Sequence, residues 1–284
     1  MSEMAKRVAF SLVAIPLVGW FAWTGGIVFA VFLAVICGFA SREFYQLAIG
    51  SGSKPLWGHG VIMSILIPIA VWARFRGIWT PPVSVVMLIV LELLTVALWV
   101  RGSEGKPLEV VGITLLGMFY TGGMMSFGYA LRYHRFAVEP IAGALLVFLP
   151  LALTWGTDSG AMLFGRRWGK TPLMPSVSPK KTVVGAMGGL GVSIVVSVLF
   201  TRYALQPYGK LTMSFAAAAL FGLLVSAAGQ VGDLVESMLK RQAGVKDSSN
   251  LIPGHGGALD RIDSLLFTLP VAFVLYNLLL VAVP

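Results

Sequence analysis

Long apolar runs dominate this sequence and constrain its fold more than any other feature. Several approach the ~20 residues that an α-helix needs to cross a lipid bilayer. Charged residues account for only 12% of the chain, which is about half the share found in an average soluble domain. The alternating segments that a transmembrane barrel requires are too few. We therefore expect an all-α fold, a polytopic bundle of membrane helices.

Nine of the apolar runs are candidate membrane spans. They cover roughly residues 8–24, 26–41, 57–73, 83–100, 110–131, 141–157, 182–201, 211–232 and 264–283. The first run follows Lys6 and Arg7, as in a signal peptide, but no small-residue cleavage site comes after it and a second run begins at once. We therefore expect the first run to be a membrane anchor.

The positions of the basic residues predict how the chain crosses the membrane. With a cytoplasmic N-terminus and nine spans, six of the 21 basic residues lie outside: Arg74, Arg76, Arg132, Arg135, Arg202 and Lys210. The others lie inside, and this excess is the positive-inside bias of membrane proteins. We expect an N-in, C-out topology. Since topology and a site for anions account for the net charge of +9, we expect no nucleic-acid partner.

Polar residues divide the chain into two parts of one integral membrane unit. Residues 1–140 have short loops, so we expect them to form an N-terminal scaffold. Residues 141–284 contain two long polar segments, near 158–181 and 239–263, which hold nine of the 21 basic residues. We expect these segments to be cytoplasmic loops of a C-terminal region that holds the functional site.

Two glutamates of the scaffold lie in or beside apolar runs. Glu92 falls inside the fourth run, where an acid is either functional or paired with a polar neighbour. Glu43 directly follows Arg42 near the end of the second run. We expect these two residues to form a surface or interfacial pair.

An acid, a hydroxyl and a cation share one face of the helix that enters the second polar segment. Asp233, Ser237 and Lys240 are spaced i, i+4 and i+7, and Glu236 and Arg241 flank them. One interpretation is an interfacial helix end whose charges face water. Because Asp233 lies so close to the apolar run, we favour a functional site.

Glycines and two acids precede the last span. Asp260 and Asp263 are spaced i, i+3, and helix capping explains Asp263 but explains Asp260 less well. Gly256 and Gly257 allow close backbone approach and expose N–H groups to an anion. His255 is either a hydrogen-bonding loop residue or a phosphate contact.

The first polar segment combines an acid with paired lysines. Asp158 precedes small residues, which favours a polar cavity. The run from Gly165 to Gly169 has three residues between its glycines, whereas a P-loop needs four, so we exclude a P-loop. Lys180 and Lys181 lie between hydroxyl residues and suit either phosphate or lipid-headgroup binding.

Metal chemistry fits these residue types better than nucleophilic catalysis. Carboxylates beside cations and hydroxyls favour Mg²⁺ bridged to phosphates, since Mg²⁺ prefers oxygen ligands. The chain has one cysteine and three histidines, and no zinc site or Ser-His-Asp arrangement stands out.

The stretch SMLKRQAGVKDSSNLIPGHGGALDRID resembles the signature of phosphatidate cytidylyltransferases, also called CDP-diacylglycerol synthases. A dozen positions match in register: Ser237, Lys240, Arg241, Lys246, Asp247, Pro253, His255, Gly256, Gly257, Asp260, Arg261 and Asp263. The stretch TDSGAMLFGRRWGKTPLMPSVSPKKT is similar to the second conserved region of that family. Ala258 and Val184 depart from it, because the family usually has a larger apolar residue and often a glutamate there.

The resemblance implies a reaction of CTP with phosphatidic acid that gives CDP-diacylglycerol and pyrophosphate with Mg²⁺. It implies metal ligation, of one or two cations, by Asp233 and Asp260. It implies phosphate contacts from Lys240, Arg241, Lys246 and Arg261, with further contacts from Lys180 and Lys181. Other implied site members are Asp158, Asp247, Asp263, Ser237, His255, Gly256 and Gly257.

The resemblance also sets the expected partners and location. CTP would arrive from the cytoplasm and phosphatidic acid from the surrounding membrane lipids, in the cell (inner) membrane if the protein is bacterial. A homodimer is a further hypothesis. Two alternative functions stay open: a membrane CTP-dependent lipid-alcohol kinase that releases CDP, and an ion-coupled transporter that uses Asp158, Asp233 and Glu92. The Asp-Gly-x-x-Ala-Arg motif of CDP-alcohol phosphotransferases is absent.

Overall fold

Helices make up most of the protein. The computed structural model describes residues 3–251 and 256–283. Its α-helices are α1 (Glu3–Thr24), α2 (Gly26–Gly50), α3 (Trp57–Phe75), α4 (Val83–Arg101), α5 (Pro107–Gly117), α6 (Phe127–Arg132), α7 (Pro140–Trp168), α8 (Val183–Phe200), α9 (Gln206–Gly209), α10 (Phe215–Gln242) and α11 (Leu259–Leu279). Two π-helical stretches follow α5 and α8, at Met118–Gly123 and Thr201–Leu205.

Strands are short and occur as two antiparallel pairs within the described residues. The first pair joins β1 (Pro172–Met174) to β2 (Ser178–Thr182), and the second joins β3 (Leu211–Thr212) to β4 (Val281–Ala282). The all-α prediction is therefore confirmed, and the β1–β2 hairpin is the local exception that carries two predicted site residues.

Eight helical stretches of the described chain are long and apolar enough to cross a membrane. They are Gly26–Gly50, Trp57–Phe75, Val83–Arg101, Pro107–Arg132, Pro140–Trp168, Val183–Gly209, Phe215–Gln242 and Leu259–Leu279. These correspond to eight of the nine predicted spans, and the protein is an integral membrane protein. For the first predicted span, the described apolar part of α1 is Ile15–Thr24. The count of nine and the N-in, C-out orientation stay predictions.

Close helix packing depends on small residues. Gly60 of α3 and Gly117 of α5 both lie against the ring of Tyr45 so closely that a Cβ at either position would overlap it. The Tyr45 hydroxyl donates a 2.7 Å hydrogen bond to the carbonyl of Thr114. Such small residues let membrane helices approach one another, because lipid supplies no hydrophobic force between them.

The chain forms two compact units. The first contains Thr24–Tyr129 and Leu239–Arg261, and the second contains Ala130–Met238 and the C-terminal residues from Ile262 onward. Leu239–Arg261, which carries part of the predicted site, thus groups with the N-terminal helices. The functional division predicted at residue 140 stays a prediction.

The two polar segments contain more regular structure than expected. The prediction that residues 158–181 form a loop is wrong, because α7 continues to Trp168 and the β1–β2 hairpin follows. Polarity alone does not end a helix, and no glycine–proline break occurs until Gly169 and Pro172. Helix α10 likewise runs to Gln242 before the second segment turns.

Candidate active site

Asp260 forms the centre of a buried polar cluster in the first unit. One carboxylate oxygen, Oδ1, accepts a 2.6 Å bond from the Lys240 ammonium. The other, Oδ2, accepts bonds from the Ser248 N–H (2.9 Å), the Ser248 hydroxyl (2.8 Å) and the Gly257 N–H (2.7 Å). The side chains of Lys240 and Asp260 are 11% and 6% exposed. A buried charge pair of this kind is stable only because hydrogen bonds satisfy the remaining lone pairs.

Glu43 belongs to the same cluster, and the expected surface or interfacial pair with Arg42 is wrong. This α2 residue is buried, and its carboxylate accepts four hydrogen bonds from the segment between α10 and α11 and from the first residue of α11. The helical period contained a signal for this burial. Glu43 lies three residues after Ala40 and four before Leu47, and both of those apolar residues are buried.

The two glycines before α11 bring the backbone close to these carboxylates. Gly256 has a φ of 79°, and a Cβ there would lie 2.5 Å from Asp260 Oδ2. A Cβ on Gly257 would overlap the Ser248 hydroxyl and the Glu43 carboxylate. The anion that the Gly257 N–H binds is therefore Asp260 of the same chain. Substrate binding by these glycines stays a prediction, and His255 lies outside the described residues.

A second carboxylate cluster lies in the second unit. Carboxylate oxygens of Asp233 and Glu236 on α10 and of Asp263 on α11 all lie within 4.8 Å of one another. Glu236 is fully buried, and the Ser237 hydroxyl lies 3.5 Å from Asp233 Oδ1. Three carboxylates so close favour a bound cation, because like charges repel at this range. Oxygen ligands of this type suit Mg²⁺.

The β1–β2 hairpin supplies a lysine side chain to this cluster. Lys181 of β2 forms an ion pair with Asp233 Oδ2, and both side chains are about one-third exposed. The preceding residue, Lys180, is exposed on the same strand. Thr182 ends the strand and caps α8, because its hydroxyl accepts a 3.1 Å bond from the Gly185 N–H. The cap fixes the strand that carries both lysines relative to α8.

The remaining predicted site residues lie at exposed positions. Arg241, Lys246, Asp247 and Arg261 are exposed in the first unit, and Asp158 is exposed on α7 in the second unit. The Arg241 guanidinium donates a 3.1 Å bond to the Val245 carbonyl. The exposed cations are accessible to phosphate groups, whereas Lys240 is buried.

The structure thus assigns the predicted residues to two groups. It brings Lys240, Asp260 and Gly257 together in the first unit, and Lys181, Asp233, Ser237 and Asp263 in the second. Glu43 and Glu236 are the acids that the sequence interpretation did not assign to the site. Glu236 had a visible signal, since its i, i+3 spacing from Asp233 places both on one side of α10.

Ala258, one of the two departures from the family pattern, takes part through its backbone. Its N–H donates a 3.0 Å bond to Glu43 Oε1. Any residue except proline supplies that donor, so the small side chain leaves the contact intact. The other departure, Val184, lies in the first turn of α8.

Sequence comparisons place the chain among known proteins. A profile of the Cytidylyltransferase family matches residues 5–279. A Phosphatidate cytidylyltransferase of Synechocystis sp. is 32% identical over 296 residues, covering 97% of each chain. The Bacillus subtilis protein of that name is 31% identical, covering 98% of this chain and 99% of its own. The Arabidopsis thaliana Phosphatidate cytidylyltransferase 4, chloroplastic, is 33% identical, covering 96% and 73%. Because the match extends over almost the whole chain, the protein belongs to the cytidylyltransferase family.

Proposed function

We propose that this protein is a phosphatidate cytidylyltransferase of phospholipid biosynthesis, which converts CTP and phosphatidic acid to CDP-diacylglycerol and pyrophosphate. The observation that supports this most is similarity over nearly the full length to relatives that carry this name. The signature stretch from Ser237 to Asp263 also contributes Lys240, Gly257 and Asp260 to the cluster of the first unit, and Ser237 and Asp263 to the cluster of the second. Charged and polar groups of this kind suit a reaction between two phosphate compounds.

The reaction joins two polyanions. An oxygen of the phosphatidate phosphate attacks the α-phosphorus of CTP, the bond from that phosphorus to the bridging α–β oxygen breaks, and pyrophosphate leaves. A phosphate monoester has a second pKa near 6, so the lipid nucleophile is already largely dianionic at neutral pH. The protein therefore needs no strong general base, and its task is to position and neutralise phosphate groups.

Exposed cations would perform most of this task. We propose that Arg241, Lys246 and Arg261 bind phosphate groups of CTP or the lipid, and that Lys180 and Lys181 assist. Arginine suits bidentate phosphate binding because its guanidinium presents a planar set of donors. Asp158 and Asp247 remain proposed members of the site.

The carboxylate cluster of the second unit would hold the cation. Asp233, Glu236 and Asp263 fit Mg²⁺ as oxygen ligands, and bound Mg²⁺ would neutralise charge on the phosphates. Asp260 was also predicted as a ligand, and this stays a prediction. In the structure both of its carboxylate oxygens accept hydrogen bonds, one of them from Lys240.

Labelled CTP distinguishes the proposed reaction from its alternatives. The full-length protein in detergent is incubated with Mg²⁺ and CTP labelled at either the α- or the γ-phosphate, together with phosphatidic acid or, in a parallel reaction, with diacylglycerol as the acceptor that a lipid-alcohol kinase needs. We expect α-label in the lipid product and γ-label in pyrophosphate. Label from the γ-phosphate in the lipid would indicate a kinase. No labelled lipid, together with CTP-independent substrate flux in proteoliposomes, would favour a transporter.

Replacing Asp233 with asparagine tests the cation cluster in the same assay. We expect the product to be abolished in Asp233→Asn, whereas Glu104→Asn, in an exposed turn, should keep full activity. A folded Asp233→Asn protein with wild-type activity would contradict the assignment.

We also propose that the N-terminus and the two polar segments face the cytoplasm. The single cysteine, Cys37, is buried and is replaced by serine to give a background without thiols. An impermeant maleimide should then label Gln242→Cys only from the cytoplasmic side and Arg135→Cys only from the opposite side. The reversed pattern would contradict the proposed orientation.

A further inference from the structure

Glu43 has no part in the phosphate or cation binding proposed above, yet its carboxylate is fully engaged. Oε1 accepts hydrogen bonds from the Ser249 hydroxyl at 2.6 Å and the Ala258 N–H at 3.0 Å. Oε2 accepts bonds from the Ser248 hydroxyl at 2.9 Å and the Leu259 N–H at 2.8 Å. The residue is 3% exposed, so these four donor groups, of which the Ser248 hydroxyl is shared with Asp260, replace the water that the carboxylate loses on burial.

Two of these donors belong to the N-terminal end of α11. Backbone N–H groups at a helix start have no partner within the helix. A neighbouring side chain usually satisfies them, but here the acceptor lies 215 and 216 residues earlier in the chain. A carboxylate at this position also interacts favourably with the helix dipole. Glu43 therefore fixes the start of the helix whose first turn contains Asp260.

Ser248 connects Glu43 to Asp260 directly. Its hydroxyl lies 2.9 Å from Glu43 Oε2 and 2.8 Å from Asp260 Oδ2, and its N–H donates to the same Asp260 oxygen. The single hydroxyl hydrogen serves one of these oxygens at a time. Gly257 packs against the same hydroxyl and donates its N–H to Asp260. A displacement of Glu43 would thus move the donors that orient Asp260.

We infer that Glu43 is a positioning residue that holds the Asp260 carboxylate and its Lys240 partner in the orientation that the reaction needs. The inference rests on the proposed function, because it assumes that this cluster acts during cytidylyl transfer. Glu43 acts through hydrogen bonds to Ser248 and to the start of α11 and does not contact substrate.

Replacing Glu43 with glutamine tests this role because the side chain keeps its size. Each carboxylate oxygen of Glu43 accepts a hydrogen bond from one backbone N–H. In either orientation, the glutamine amide therefore points its NH₂ group at a backbone N–H, and two donors face each other. Glu43→Asp keeps both acceptor oxygens on a shorter side chain. Glu104→Gln, in an exposed turn, is the matched control.

Three measurements on the purified full-length protein separate positioning from general stability. They are kcat and KM for CTP, the unfolding temperature, and hydrogen–deuterium exchange of the Ala258 and Leu259 amides without substrate. For Glu43→Gln we expect kcat to fall on the order of 100-fold, because a misplacement of about 1 Å in a site can reduce the rate by that much. KM and the unfolding temperature should change little, and both amides should exchange faster. Glu43→Asp should recover part of kcat, and Glu104→Gln should match the wild type.

Wild-type kcat in a folded Glu43→Gln protein would overturn the inference. So would a loss of kcat that parallels a lower unfolding temperature and disappears on cooling, since that indicates stability alone. If Glu43→Gln does not fold, Ser249→Ala removes one of the four hydrogen bonds. It should show faster exchange with a smaller loss of kcat, and unchanged kcat despite faster exchange would overturn the inference. A wild-type protein without cytidylyltransferase activity would refute the proposed function, while the exchange data would still report the anchoring.

Discussion

Lys240 and Asp260 illustrate how a polar site is kept inside an apolar protein. The two charges are mostly removed from water, so each depends on the other and on the donors from Ser248 and Gly257. Removing one partner of such a pair leaves an uncompensated buried charge, which is more costly than losing the attraction itself. In the proposed function, stability and catalysis therefore depend on the same residues here.

Lys240→Met should destabilise the folded protein by roughly 3–5 kcal/mol, the usual cost of breaking a buried ion pair. Lys240→Met leaves the Asp260 carboxylate as an unpaired buried charge, and Asp260→Asn removes that charge. The double variant Lys240→Met/Asp260→Asn should therefore be more stable than the sum of the two single changes implies. Unfolding in mixed detergent measures the free energy of unfolding of the single and double variants, and Lys54→Met, at an exposed position, is the control. Additive effects of the two changes would show that the pair is not coupled.

At the scale of elements, the connection between α10 and α11 has a defined conformation in its described parts. Helix α10 ends in a Schellman motif, in which Gly244, with a φ of 69°, donates its N–H to Arg241 and the Val245 N–H donates to Lys240. At the other end, Gly256 and Gly257 lead into α11 against the Asp260 and Glu43 carboxylates. Gly244 and Gly256 both adopt a positive φ, whereas Gly257 leaves room for the Ser248 hydroxyl and the Glu43 carboxylate.

Gly257→Ala should disrupt this connection. The added methyl group would overlap the Ser248 hydroxyl and the Glu43 carboxylate, so the turn must shift away from Asp260. We expect a large loss of CDP-diacylglycerol synthesis, measured at saturating CTP. Gly112→Ala, where a Cβ meets nothing within 4 Å, should remain active. Full activity of Gly257→Ala would show that the turn tolerates displacement.

Sequence patterns predicted which segments form helices better than they predicted where the helices end or which distant residues their side chains contact. Apolar length identified the eight described spans because bilayer thickness fixes that length. The end of α7 was placed too early, because residues 158–168 include charged side chains but no proline that would end the helix. The role of Glu43 was not predictable from local sequence, because its partners lie 205 to 216 residues away.

For the whole molecule, polar clusters occur in both compact units, while the helices present large apolar side chains at the surface. Helix α4 shows this clearly, with Leu88, Leu98 and Trp99 more than half exposed. An apolar surface of this extent fits a lipid environment and would be a liability in water. Proximity to lipid is what a reaction on phosphatidic acid requires, and in the proposed function CTP reaches the polar segments from the aqueous side.

The most direct test of the proposed function is the stoichiometry of product formation. The full-length protein in phosphatidic acid-containing liposomes is supplied with CTP and Mg²⁺, and pyrophosphate and CDP-diacylglycerol are quantified together. We predict equal amounts of the two products, formed only when CTP and phosphatidic acid are both present. Release of CDP in place of pyrophosphate, or pyrophosphate release that does not depend on phosphatidic acid, would contradict the proposed function.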